Sequence, residues 1–170
     1  MRHGVVLFTS DRGITPARAA QAAEAAGFDC FYVPEHTHIP VRRDSVHPGT
    51  GTAELPDDRY LRTLDPWVAL SMAAAVTHAI RLGTAVALPA EHDPITLAKT
   101  IASLDHLSGG RVELGVGFAA GPARVVGLDG QRQLLADGVP GLGRLVEHDF
   151  GGEVTAAREA EFDFCHCRLR

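Results

Sequence analysis

The fold is decided by the opening segment: Gly4-Val5-Val6-Leu7-Phe8, then Thr15-Pro16 ahead of an alanine-rich run, then Gly27, then Phe28-Asp29-Cys30-Phe31-Tyr32-Val33. A short unbroken apolar run rich in β-branched residues is the signature of a strand buried on both faces, since neither face meets water. Thr15 is a helix-capping residue, and Pro16 suits the first helical position, where its missing N–H would have no partner in any case. Residues 17–26 favour helix throughout, and Gly27 supplies the left-handed residue that stops it. Strand, helix, strand in this order is a βαβ unit and predicts a parallel sheet.

Outward from this unit the same signals recur. Asp65-Pro66 and Asp93-Pro94 repeat the cap followed by proline. They predict one helix over residues 67–76 and another after Pro94, with Leu97, Ala98, Ile101 and Leu104 on one face and Gly109-Gly110 as its stop. Residues 80–88 and 112–116 predict the third and fourth strands. Between the second strand and Asp65-Pro66, residues 35–64 form a loop dense in His, Pro, Gly and Asp, too long for a plain connector in a compact domain. After Phe118 the amphipathic period fades. Residues 131–136 predict a turn or two of helix, and residues 159–167 either a strand or nothing ordered. Four strands alternating with three helices are α/β, with a doubly wound sheet and a (β/α)8 barrel both open, but 170 residues fall short of the about 250 of a complete barrel.

Composition narrows the function. A chain that is 45% hydrophobic and 22% charged is globular rather than disordered. Its net charge of −5 offers no footprint for polyanions, so nucleic acid and a polybasic membrane anchor are excluded as partners and a small molecule is expected. No apolar run approaches the ~18 residues that span a bilayer, and the apolar run at the amino terminus is too short for a signal peptide. An odd cysteine count of 3 does not make a disulfide framework. Together these predict a cytoplasmic protein.

Chemistry-bearing residues concentrate after the second strand, in Pro34-Glu35-His36-Thr37-His38. In parallel α/β folds the loops at the carboxyl ends of strands line the ligand crevice, which places a Glu and two His well for catalysis. The same histidines would serve equally as hydrogen-bonded loop residues. His36 and His38, with His47 and His92, also raise a metal-dependent hydrolase as an alternative, although the spacing alone is weak. Gly83-Thr84-Ala85-Val86 and Gly115-Val116-Gly117 put small residues where a backbone can approach a flat ligand. Neither is a dinucleotide fingerprint or phosphate loop, and no nucleophile elbow is present.

Several stretches, taken in order, closely resemble the luciferase-like monooxygenase family, nearest its deazaflavin-dependent oxidoreductases. They are Tyr32-Val33-Pro34-Glu35-His36-Thr37-His38-Ile39-Pro40, Arg62-Thr63-Leu64-Asp65-Pro66, Arg81-Leu82-Gly83-Thr84-Ala85-Val86, Asp93-Pro94-Ile95, Leu97-Ala98-Lys99, and the run from Leu104-Asp105 through Ser108-Gly109-Gly110-Arg111 to Gly117-Phe118. The resemblance implies a partial TIM (β/α)8 barrel, its first four strands with their helices, over residues 1–118. It implies hydride transfer between coenzyme F420, or FMN, and an unknown organic substrate. His36 matches the family's active-site histidine and Glu35 a neighbouring acidic position, which makes them the catalytic candidates. Thr84, Ala85, Val86 and Gly117 are the cofactor-binding candidates, with a non-prolyl cis peptide expected at Ala85-Val86. Residues 119–170 match no family pattern, as a frameshifted tail would. The alternative is a truncated, catalytically inactive barrel fragment or assembly partner. Four strands without closure leave a sheet edge for a homo-oligomer or the tail to cover.

Overall fold

The computed structural model describes residues 2–43, 46–47 and 50–117, together with the backbone of residues 153–159 and 162–168. Four parallel strands come first: β1 (Gly4–Val6), β2 (Cys30–Val33), β3 (Arg81–Thr84) and β4 (Val112–Val116). Helices α1 (Pro16–Ala25), α2 (Pro66–Ala74) and α3 (Pro94–Ser108) connect them. The three cap-then-proline signals work as read. Thr15, Asp65 and Asp93 each accept a hydrogen bond from the backbone N–H three residues on, and the proline follows at the start of the helix.

Strand order settles what the sequence left open. The sheet runs β1-β2-β3-β4 without the reversal of a doubly wound fold. Phe31, Val33, Leu82, Val112, Leu114 and Val116 pack with residues of all three helices in one core, so the helices cover a single face. A parallel sheet with sequential strands and one-sided cover is an arc of a TIM barrel. The arc is not closed among the described residues. Strand β6 (Phe162–Arg168) pairs antiparallel with β4, and β5 (Glu153–Glu159) with β6, so β1 and β5 are the sheet edges. The edge of β4 is thus covered by the chain's own backbone.

The sequence overstates three strands, β2 beginning at Cys30 rather than Phe28. β1 stops at Val6 rather than Phe8, and β3 stops at Thr84 rather than residue 88. Beyond Thr84 the chain leaves the ladder, and only Ala87 rejoins it, as an isolated bridge with Val116. Apolar composition cannot report this departure, because residues 85–88 stay as hydrophobic as the strand before them. Within the long loop a 3-10 turn, Asp58–Arg62, is capped by the Asp57 side chain. A second, Pro89–Glu91, precedes α3. Residues 131–136 lie outside the described residues.

Much of the sequence at the end of α3 has a structural job. Gly109 and Gly110 take positive φ values of 74° and 79°, ending the helix in the left-handed region. The Arg111 guanidinium then donates to the carbonyls of Ala74, Thr77 and Ile80 at 3.0–3.1 Å, closing the end of α2 and the turn into β3. Asp105 accepts from the Val112 N–H at 3.0 Å. This run is distinctive because it locks a helix to the next strand.

Candidate active site at the carboxyl end of the sheet

The inner face of the arc, away from the helices, carries Cys30, Tyr32, Arg81, Gly83, Glu113 and Gly115, as strand alternation requires. Glu113 is buried there and accepts from Arg81, from the Tyr32 hydroxyl and, at 3.1 Å, from Arg2. Burial works to raise its pKa, but the Tyr32 and Arg81 contacts outweigh burial and hold the carboxyl below its usual range. Burial also pushes the Cys30 thiol up, away from a reactive thiolate. This cluster is a floor. Close packing accompanies it: a Cβ at Gly115 would fall 2.2 Å from the Thr84 carbonyl oxygen.

Above the floor, the carboxyl ends of the strands form a rim. At the end of β2, His36 is half-buried, with its ring stacked on Phe8 at 5.8 Å and 22° and tilted against Tyr60 at 5.1 Å. Phe8 and Tyr60 also touch each other at 5.1 Å, and His47 meets the Tyr60 edge at 5.3 Å. Burial pulls the His36 pKa down, against the opposing fields of Glu91 and Glu35. The imidazole is therefore neutral at pH 7 and can give or take one proton.

Glu35, one residue earlier, is enclosed, its side chain 1% exposed. One carboxylate oxygen accepts from the Leu88 N–H at 2.6 Å, and the other lies 2.5 Å from His92 Nε2. Its backbone N–H donates to the Val86 carbonyl at 3.3 Å. The hydrogen bond to Glu35 lifts the His92 pKa, with burial opposing.

The peptide between Ala85 and Val86 is cis, at the bond singled out from the resemblance. The segment is pinned by backbone bonds from Ala85 N–H to the Val33 carbonyl, Ala87 N–H to the Gly115 carbonyl, and Gly117 N–H to the Ala87 carbonyl. Among the described residues, the Ala85 carbonyl and the Val86 N–H take no part in these bonds. Thr84 is buried, its hydroxyl donating to the Gly115 carbonyl at 2.8 Å and accepting from the Gly115 N–H at 3.2 Å, so only its backbone is left for a ligand. Gly117 lies under Val86, where a Cβ would come within 2.3 Å of Val86 Cγ2.

The structure therefore gathers His36, Glu35, Thr84, Ala85, Val86 and Gly117 at one rim. It does not gather the proposed zinc ligands. His36 turns into the aromatic cluster, whereas His38 lies 3.8 Å from Glu91 and His92 is taken by Glu35. Among the described residues no three His, Cys, Asp or Glu side chains stand close enough to hold a metal. The hydrolase alternative has no support. Sequence reasoning missed Phe8 and Tyr60 as neighbours of His36, because contacts across more than twenty positions leave no local spacing to find. It also weighed His92 only as a metal ligand. The single available signal was its place directly before the Asp93-Pro94 helix start.

Comparison with known proteins agrees with the fold. An uncharacterized protein of Mycobacterium tuberculosis is 74% identical over 118 residues, 69% of this chain and 42% of its own length. The chain thus spans well under two thirds of that relative. Among solved structures, the oxygenating constituent of the 3,6-diketocamphane monooxygenase of Pseudomonas putida, a type II Baeyer-Villiger monooxygenase held in complex with FMN, superposes with a TM-score of 0.57 at 19% identity, covering 96% of this chain and 42% of that one. The coenzyme F420 dependent tetrahydromethanopterin reductase of Methanopyrus kandleri gives 0.50 at 24%, covering 70% and 27%. No helix among the described residues is long and apolar enough to cross a membrane. The family model for luciferase-like monooxygenases matches residues 15–156, and with the sequential strands and one-sided helices this chain belongs to the luciferase-like monooxygenase family.

Proposed function

We propose that this chain carries the cofactor-facing rim of a cytoplasmic oxidoreductase that uses the deazaflavin F420, with FMN as the alternative, to transfer hydride to or from a small organic substrate. The observation that carries the reading is the half-buried His36 directly after β2 while its chain neighbours Val33 and Glu35 tie the Ala85-Val86 segment, after β3, to the same end of the sheet by backbone hydrogen bonds. A flat ring with a polar edge needs an apolar wall, a few backbone donors and acceptors, and one side chain that can manage a proton. Val86 and Ala85 would form that wall, the Val86 N–H and Ala85 carbonyl would meet the polar edge, and Thr84 and Gly117 would shape the backbone beneath. These residues fit such a group. The coenzyme, when bound, supplies the hydride chemistry.

His36 then holds or gives one proton beside the ring, or stabilises charge there, while Phe8 and Tyr60 fix its imidazole plane. Glu35 would act on the same reaction from behind this surface. The reading places residues 1–118 as the barrel half that bears the rim and residues 119–170 as a separate segment. The highly identical match covers 118 residues, whereas the family model runs on to residue 156. Sequencing the gene beyond the Phe118 codon tests that division, since a continuous family pattern in another frame would mark residues 119–170 as a frame change.

Titration of the purified chain with F420 and with FMN, followed by fluorescence, tests the function. Saturable binding of either, weakened about tenfold by His36→Ala, is the expected result. Binding of neither would overturn this reading in favour of a non-catalytic assembly partner.

A further inference from the structure

The rim holds one buried acid whose surroundings point away from proton exchange. Glu35 has both carboxylate oxygens occupied, one by the Leu88 N–H at 2.6 Å and one by His92 Nε2 at 2.5 Å, and its side chain is almost fully enclosed. No oxygen is left to face a ligand. Its own N–H reaches the Val86 carbonyl, so a single residue just after β2 grips the segment after β3 at both ends of the stretch from Val86 to Leu88. His92 lies four residues beyond Leu88, at the mouth of α3, and closes the grip from the far side.

We infer that Glu35 and His92 are a positioning pair that sets where the Ala85-Val86 segment stands at the rim, rather than groups that touch a ligand. Hydrogen bonds to a charged, enclosed acceptor are worth more than neutral ones and are costly to leave half-made. A carboxylate suits two donors arriving together. An amide offers one acceptor atom instead of two: with its oxygen on the Leu88 N–H, its NH2 would face His92 Nε2, which accepts only as a neutral imidazole protonated on Nδ1, so the contact with a protonated His92 is lost. The carboxylates of Glu35, Asp65 and Glu91 all favour the protonated form of His92, the form that donates to Glu35. The inference rests on the rim being the cofactor surface only for its effect on affinity, not for the grip itself.

Two readouts on the full chain separate these levels. Hydrogen exchange at the Leu88 amide, measured where circular dichroism shows every variant folded, is expected to speed up about tenfold or more in Glu35→Ala and to change less in Glu35→Gln, whose amide oxygen still accepts from that N–H. His92→Gln, which keeps a side-chain N–H for Glu35, is expected to stay near wild type, and His92→Ala to fall between. The imidazole resonances of His92 are expected to titrate at lower pH in Glu35→Gln, a signature that loss of packing alone would not produce. Affinity for F420 or FMN is expected to drop with the Leu88 exchange, variant by variant. An unchanged Leu88 amide in Glu35→Ala overturns the pair, and so does a released amide with unaltered affinity. If the wild type binds neither coenzyme, the cofactor reading fails, and the Leu88 and His92 readouts still decide the positioning role.

Discussion

The two buried carboxylates among the described residues, Glu113 on the floor of the arc and Glu35 at its rim, show how one problem is solved in two ways. Each takes a charge out of water, which is tolerated only with compensating partners. Glu113 has arginines and a tyrosine, whose state does not change across ordinary pH. Glu35 has a backbone N–H and a histidine. Permanent charges make a fixed floor, whereas a titrating partner leaves the rim sensitive to its conditions.

Removing the partners would break the comparison most visibly at the floor. Glu113→Ala strands Arg81, whose side chain is 16% exposed and whose Nη2 has no hydrogen-bond partner even in the intact network. A loss of about 3–5 kcal/mol is expected, because an uncompensated buried charge remains. Thermal melting checks it, with a fall of roughly 10 °C for a chain of this size. Arg2, 59% exposed, contributes little to that loss. At the rim, Glu35→Ala removes two hydrogen bonds without leaving a permanent cation, and a smaller loss of about 2–3 kcal/mol is expected in the same measurement.

Acidity sharpens the contrast. His92 has a folded pKa raised above its ordinary 6.5, so its contribution is complete below that value and fades as pH climbs through the raised one. His36 has a folded pKa below 6.5, so its burial costs stability as pH falls beneath that value. Melting temperature is expected to decline above pH 6.5 by a term that His92→Gln abolishes, and below it by a term that His36→Gln abolishes. Glu113, with its lowered pKa, adds its own loss only at lower pH, as the medium falls below 4.5 toward the folded value. The smallest effect is expected from the exposed pairs Arg62 with Asp11 and Arg12 with Asp58, which tie the long loop to the segment after β1. Adding salt or replacing Arg62 with Gln should leave the melting temperature nearly unchanged, since water and ions screen such pairs.

A good deal of this was legible beforehand, and the reasons are local. Thr15-Pro16, Asp65-Pro66 and Asp93-Pro94 announce helix starts because a cap and a proline act within four residues. Gly109-Gly110 announces a stop because only glycine takes those backbone angles without cost. The rim residues His36, Ala85 and Val86 were reachable because a parallel strand delivers whatever follows it to the same end of the sheet. The bracket of Phe8 and Tyr60, and the tie from Glu35 to His92, left no such trace. They join positions more than fifty residues apart.

The sequence by itself determined the alternation of the first four strands with three helices, the starts of those helices and the end of the sheet to which the His36 loop is delivered, since each follows from interactions within a few residues along the chain. Only the tertiary structure decided that the sheet is an arc covered on one face, that Glu35 is enclosed while His36 is half-open, and that His92 belongs to Glu35 rather than to a metal. Those outcomes depend on which strands lie side by side and on how much water each side chain keeps, and neither is a property of any single stretch of residues.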